Sequence, residues 1–373
     1  MIYLDSAATS LQKPATVTQA VQAAMTHMAS PGRGGHRPAM LAAETAFGCR
    51  QCAAELFHVS APEQVIFTFN ATHALNLAIK TLASPGSEIV ISGYEHNAVT
   101  RPLAALDCRI KIASSALFQP DELLSNFEEL ISSETCCVVC THVSNVFGYI
   151  MPLKELGELC RRKHVPLIVD ASQSAGCLPV HMDELRCTYA AMPGHKGLYG
   201  PQGIGLLLCG DGAEPWPLLH GGTGSLSASQ NMPDFLPDRL EAGTPNIPGI
   251  AGLWAGLRYV MKRGTGHILQ HEQELIRRLD QRLQEFPQIT SYGSGDKNQS
   301  GVLSFRVQGW DCEELGEELG SRGIAVRAGL HCAPLAHQTA GTAEGGTVRI
   351  SVSAFNTSSE MERFIRVLQE IVS

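Results

Sequence analysis

From Lys13 to Met28, and again from Ala39 to His58, small and apolar residues recur at the three-to-four spacing of an amphipathic helix. After that the rhythm changes. Short apolar runs bounded by Gly, Pro, Ser or Asn follow at Gln64–Phe69, Glu88–Ser92, Arg109–Ala113, Cys136–Thr141, Pro166–Asp170, Cys187–Ala191 and Ile204–Cys209. Segments of helical length separate most of them, such as Ala71–Ala83, Asp121–Ile131 and Leu153–His164. Strands that alternate with helices and carry few polar positions predict a mainly parallel sheet, covered by helices on both faces. The last two runs lie close together and are expected to include the sheet's one antiparallel strand.

The pattern breaks at Pro245–Pro248. Beyond it, Ile250–Arg263 and His267–Phe286 read as long helices, with strands at Gly301–Val307, Ile324–Arg327 and Thr347–Ser351 and helices at Cys312–Arg322 and Ser358–Val372. Two domains are therefore expected: a large α/β domain over residues 13–248 and a smaller α+β domain over 249–373. Residues 1–12 have no readable period and are expected to pack on the smaller domain.

Composition narrows the function. The 373 residues are 44% hydrophobic and only 17% charged, enough apolar material for a large core. Lys plus Arg number 28 against 36 for Asp plus Glu, a net charge of -8, which argues against a nucleic-acid partner. No run of about 18 apolar residues could span a membrane, and the start of the chain lacks the basic and apolar regions of a signal peptide. A cytoplasmic location is expected. Twelve cysteines in a chain of this length are thiols rather than a disulfide framework. Cys49 and Cys52 fall in a helical pattern, and Cys136, Cys137 and Cys140 on a strand whose alternate side chains diverge, so no metal site is expected.

The chemistry concentrates at strand ends. Ala191–Gly203 is a Gly-rich stretch after a predicted strand, with Lys196 beside His195. An unencumbered lysine amine there can form a Schiff base with a carbonyl carbon; an exposed loop lysine is the plainer reading. Pro166–Asp170 is an apolar strand ending in a carboxylate, the place where open parallel sheets bind ligands. Asp170 could keep a pyridine nitrogen protonated, or merely cap the next helix. Asn70–Asn76 leaves a strand and opens a helix, a ready phosphate nest. His96 also follows a strand and could stack on a ring or shuttle a proton.

Together these segments resemble the class V aminotransferase group of fold-type I pyridoxal-phosphate enzymes. Within it the chain is similar to cysteine desulfurases and selenocysteine lyases of the SUF type, from Tyr3-Leu4-Asp5-Ser6-Ala7-Ala8-Thr9 to Phe355-Asn356-Thr357. The resemblance implies an α/β fold with a mainly parallel seven-stranded sheet flanked by helices and a smaller α+β C-terminal domain. It implies that Lys196 carries pyridoxal 5'-phosphate, that Asp170 pairs with the pyridine nitrogen, that Gln173 bonds the ring hydroxyl and that His96 stacks on the ring. Ala71, Thr72, His195 and Thr223 of a second subunit would hold the phosphate, which implies a homodimer. Asn145 would lie near ring and substrate, and Arg349 would grip the substrate carboxylate in a bidentate pair.

The segment Arg327-Ala328-Gly329-Leu330-His331-Cys332-Ala333 is the part specific to the desulfurases. It makes Cys332 the sulfur acceptor, with Arg327 and His331 as positive neighbours expected to favour its thiolate. The implied reaction converts L-cysteine to L-alanine and leaves a persulfide on Cys332 for an acceptor protein. L-selenocysteine lyase, a small amino-acid aminotransferase and a weakly catalytic scaffold in a sulfur relay remain open beside it. Two departures stand out: Pro193 occupies a position where the family commonly has a phosphate-binding Ser or Thr, and the C-terminus is shorter than in many SUF-type relatives.

Overall fold

The structure, a computed structural model, describes residues 1–32, 34–294 and 298–372. Its strands in chain order are β1 (Ile2–Tyr3), β2 (Val65–Thr68), β3 (Glu88–Ser92), β4 (Arg109–Ala113), β5 (Thr135–Thr141), β6 (Leu167–Asp170), β7 (Tyr189–Pro193), β8 (Gly205–Cys209), β9 (Ile289–Ser291), β10 (Val302–Val307), β11 (Ile324–Ala325), β12 (Arg327–Gly329) and β13 (Thr347–Ser351).

A seven-stranded sheet runs in the order β2-β8-β7-β6-β5-β3-β4. All neighbours pair in parallel except around β8, which is antiparallel to both β2 and β7. Side chains alternate across a strand, and here both faces are apolar. Val90, Val138, Val169, Met192 and Leu208 enter one core with the helices Arg37–Phe57 and Leu153–Lys163. Their alternates Ile89, Ile91, Val139, Ile168 and Leu207 enter another with the helix Ala71–Leu82. That double burial is why these strands read as unbroken apolar runs.

A four-stranded antiparallel sheet, β12-β13-β10-β9, forms a third core with the helices Thr265–Leu283, Cys312–Ser321 and Ser358–Val372. The first residues join it: β1 pairs in parallel with β11, and Ile2 and Leu4 are buried in the same core. The apolar run Ile324–Arg327, read as one strand, is two. Ile324 and Ala325 pair with β1, whereas Arg327 to Gly329 pair with β13, so the chain changes partner at Val326. The helix Asn97–Ala105 was not legible as one, with Pro102 inside it.

Because the six parallel strands point one way, the segments after β2, β3, β5, β6 and β7 meet at one edge of the sheet. Glycines let two of those segments touch. A Cβ on Gly176 would lie 2.1 Å from the Gly197 carbonyl oxygen, and one on Gly197 2.4 Å from the Ala175 carbonyl oxygen. The turn after Asp170 and the turn bearing Lys196 thus interlock through backbone.

Candidate active site

A cavity of about 110 Å³ opens at that edge. Ala71 and Thr72 line it from the start of one helix, His96 and Asn145 from the segments after β3 and β5, and Asp170, Gln173, His195 and Lys196 from the two interlocked turns. Eight residues singled out in the sequence therefore share one cavity. Pro193 also lines it and offers neither hydroxyl nor N–H.

Burial governs the cavity's electrostatics. Desolvation pushes the Lys196 amine down to about 8; Asp170 and Asp5 oppose the shift, and Arg349 and Arg327 add to it. Asp170 is 3% exposed, and its Oδ1 accepts the Ser172 N–H at 2.9 Å. Its other oxygen has no protein partner among the described residues, which suits a ring nitrogen needing a proton held on it. His96 caps its helix by accepting the Ala98 N–H at Nδ1, 3.0 Å away, and burial lowers its pKa. A neutral ring bonded in that way carries its proton on Nε2.

Burial and the nearby Lys196 and Lys13 cations hold His195 near 4, so it is a neutral donor at physiological pH. Its Nδ1 lies 3.0 Å from Thr9 Oγ1. At the helix start, Asn70 accepts the His73 N–H at 2.9 Å, leaving the N–H groups of Ala71 and Thr72 for an anion. Those backbone donors face the same cavity as Pro193, which offers none. The donor set, the half-paired Asp170 and the low-pKa amine together fit a phosphate-bearing pyridine aldehyde.

Gln173 donates to the Ala7 carbonyl oxygen at 3.0 Å, which ties the cavity to the N-terminal segment. Arg349 lies beside the cavity rather than on its lining. Its Nη1 donates to the Asn145 carbonyl oxygen at 2.9 Å and its Nη2 to Asp5 Oδ1 at 2.8 Å, while its buried Nε has no partner among the described residues. Burial lowers the Arg349 pKa, and Asp5 opposes that.

Cys332 is exposed on a turn in which His331 and Cys332 both have left-handed φ values, 50° and 55°. The turn is pinned at both residues. Asn145 Nδ2 donates to the His331 carbonyl oxygen at 2.8 Å, and the Asn97 N–H donates to the Cys332 carbonyl oxygen at 2.8 Å. The expectation that His331 gives Cys332 a positive neighbour fails: burial drives His331 down to about 2, so the ring is neutral. The Arg327 guanidinium is engaged by Asp5, 3.0 Å away.

Thr223 is not in the Lys196 cavity. It lines a second cavity of about 430 Å³ with Phe69 and His73, residues on either side of Asn70–Thr72. Two site residues escaped sequence reading. Asp5 joins both arginines, and Glu95, fully buried, accepts the Thr141 N–H at 2.7 Å. Burial, with a smaller push from Asp170, raises Glu95 to about 8, so it stays largely protonated at neutral pH. Its signal was close to the one that marked Asp170, an acid at or just past the end of a buried strand.

A mainly parallel seven-stranded sheet with a half-buried lysine and a buried aspartate at its strand ends is the fold-type I architecture. The chain belongs to the class V aminotransferase family, whose profile, Aminotransferase class-V, matches residues 2–364. It is similar to a probable cysteine desulfurase of Pyrococcus abyssi, 33% identical over 100% of this chain and 94% of that protein. It is also 33% identical to probable cysteine desulfurase 1 of Mycobacterium leprae, but spans only 62% of that protein's length. Among solved structures, the apo cysteine desulfurase of Thermococcus onnurineus NA1 superposes with a TM-score of 0.91 at 33% identity, covering 100% of this chain and 94% of that one.

Proposed function

We propose that the protein is a pyridoxal-phosphate-dependent cysteine desulfurase that converts L-cysteine to L-alanine and retains the sulfur as a persulfide on Cys332. One observation carries the reading: of twelve cysteines Cys332 alone is exposed, and its turn is bonded to the segments bearing His96 and Asn145. Pyridoxal phosphate, when bound, supplies a protonated ring that accepts electrons from the substrate's α-carbon.

Lys196 anchors the cofactor, Asp170 holds the ring proton, His96 covers the ring and Gln173 faces its hydroxyl. Ala71, Thr72 and His195, with Thr223 of a second subunit, hold the phosphate. The unpartnered Arg349 Nε and the neighbouring Asn145 receive the substrate carboxylate. Once the substrate amine displaces it, Lys196 Nζ takes the α-proton. Cys332 Sγ then forms an S–S bond as the substrate's C–S bond breaks. The electron pair stays on the β-carbon, which takes a proton, and Lys196 Nζ returns the proton to the α-carbon to give alanine. We extend the proposal to a cytoplasmic homodimer that passes its sulfur to an acceptor protein; no described helix is long and apolar enough to cross a membrane.

The same groups would serve L-selenocysteine, so the test runs both substrates. With L-cysteine and a thiol reductant, alanine and sulfide should appear in equal amounts. Alanine from L-selenocysteine alone would make the protein a selenocysteine lyase. Amino-group transfer to a keto acid without sulfide would make it an aminotransferase.

A further inference from the structure

His58 and His181 stack face to face on the large domain, their ring centroids 3.7 Å apart and their planes within 7°. Two imidazolium rings at that spacing would repel, whereas neutral rings each present a lone pair, the form in which histidine binds a metal. Both rings have carboxylates beside them. His181 Nδ1 lies 3.0 Å from Glu184 Oε1, and His58 Nδ1 lies 3.4 Å from Asp183 Oδ1. One ligand atom each of His58, His181 and Glu184 falls within 4.8 Å of the other two. Among the described residues no other trio of His, Cys, Asp or Glu comes so close, and no cysteine takes part. The basic residue next along the chain, Arg186, is occupied by Glu158.

The fold brings these side chains together from two elements. His58 caps the helix Arg37–Phe57 with a left-handed φ of 51°, and the chain then runs into β2. His181 precedes the short helix Met182–Leu185, which leads into β7. Its single turn sets His181 and Glu184, three residues apart, on one face. Phe57, Met182 and Leu185 are buried in one core, so both backbones are held. Because β8 is antiparallel to β2 and to β7, those two strands run the same way. Both histidines therefore lie at the edge where strands begin, and Lys196 at the opposite edge, where β7 ends.

We propose that His58, His181 and Glu184, completed by Asp183, bind a divalent transition-metal ion of the zinc class that clamps the end of the helix Arg37–Phe57 to the connection between β6 and β7. Imidazole and carboxylate ligands suit zinc, whereas magnesium and calcium call for oxygen alone. Four protein ligands make a closed site of the structural kind, and its two carboxylates balance the charge of the ion. Bonds of about 2.0–2.2 Å to one ion set ligand atoms roughly 3.3 Å apart. The trio therefore closes by at most about 1.5 Å on binding. Rotation of the exposed His58 and Glu184 side chains supplies that movement.

Zinc chloride titrated by calorimetry into the chelator-stripped holoenzyme tests the site, in the wild type and in Cys332→Ala, which lacks the exposed thiol. One zinc ion per chain should bind in both. His181→Ala and His58→Asn should each weaken that binding by at least about tenfold; asparagine is chosen because it tolerates the left-handed φ. Magnesium chloride should not bind. Absence of zinc uptake, affinities within about twofold of wild type in both histidine variants, or magnesium binding as tight as zinc would overturn the proposal. Should a histidine variant fail to fold, Glu184→Gln, at an exposed position, decides by the same criterion. Alanine formation from L-cysteine should be unaltered in His181→Ala, and its loss from a folded variant would overturn the structural role. A wild type that binds zinc at this site but forms no alanine would support the metal site and count against the desulfurase reading alone.

Discussion

Lys196 is positioned to react as a free base at a lower pH than an ordinary lysine, from about pH 8 upward. Its pKa in the folded chain is about 8, below the ordinary 10.5, because burial penalises the ammonium more than Asp170 supports it. The unfolded chain therefore binds more protons than the folded one between those values. In the cofactor-free protein this group costs stability below about pH 8, and the cost fades as pH rises towards 10.5. The same shift sets reactivity: capture of pyridoxal phosphate by cofactor-free protein should rise through about pH 8 and then level off. A rate still climbing at the ordinary lysine pKa would show that the amine is not desolvated. Lys196, Asp170 and His96 were legible because each lies just past an apolar run, where a parallel sheet exposes its strand ends. Asp5 was not, since its partner Arg349 is 344 residues away and no local pattern connects them. Nor could sequence show that His331 is neutral, because that depends on how deeply the ring is buried.

At the scale of elements, the cavity depends on two turns meeting backbone to backbone. Gly176 has φ +98°, a conformation L side chains rarely adopt, and its Cβ would fall 2.1 Å from the Gly197 carbonyl oxygen. Gly176→Ala should destabilise the protein by about 1–3 kcal/mol and displace the Lys196 turn, weakening cofactor retention. Denaturant unfolding and the visible absorbance of the purified variant would check both. Unaltered values would mean that the turns can separate freely. The central strands were legible because burial on both faces removes polar positions and Gly or Pro marks their ends. The two residues of β1 are too few to show a period, and their pairing with β11 is set by distant chain. The division at Val326 escaped for a related reason: one apolar run serves two partner strands, and only pairing separates them.

Across the whole molecule, the segment between Cys209 and Ile247 has no helix or strand and carries Thr223 away from the Lys196 cavity of its own chain. A homodimer gives that threonine a phosphate to bind. The protein should sediment as a dimer, and Thr223→Ala should weaken pyridoxal phosphate binding about tenfold or more, as for the loss of a hydrogen bond to a charged group, without dissociating the dimer. A monomer that holds the cofactor equally tightly would contradict the shared site. Sequence placed Thr223 at the phosphate only through resemblance, because a contact between subunits leaves no periodic trace in one chain.

The central claim is that sulfur passes to Cys332, the one exposed thiol. Mass spectrometry of the holoenzyme after brief exposure to L-cysteine, digested without reductant, tests it most directly. The peptide containing Cys332 should carry one added sulfur, and Cys332→Ala, while retaining pyridoxal phosphate, should release almost no alanine. An unmodified Cys332 peptide in an enzyme that turns over L-cysteine, or wild-type alanine release by Cys332→Ala, would contradict the account.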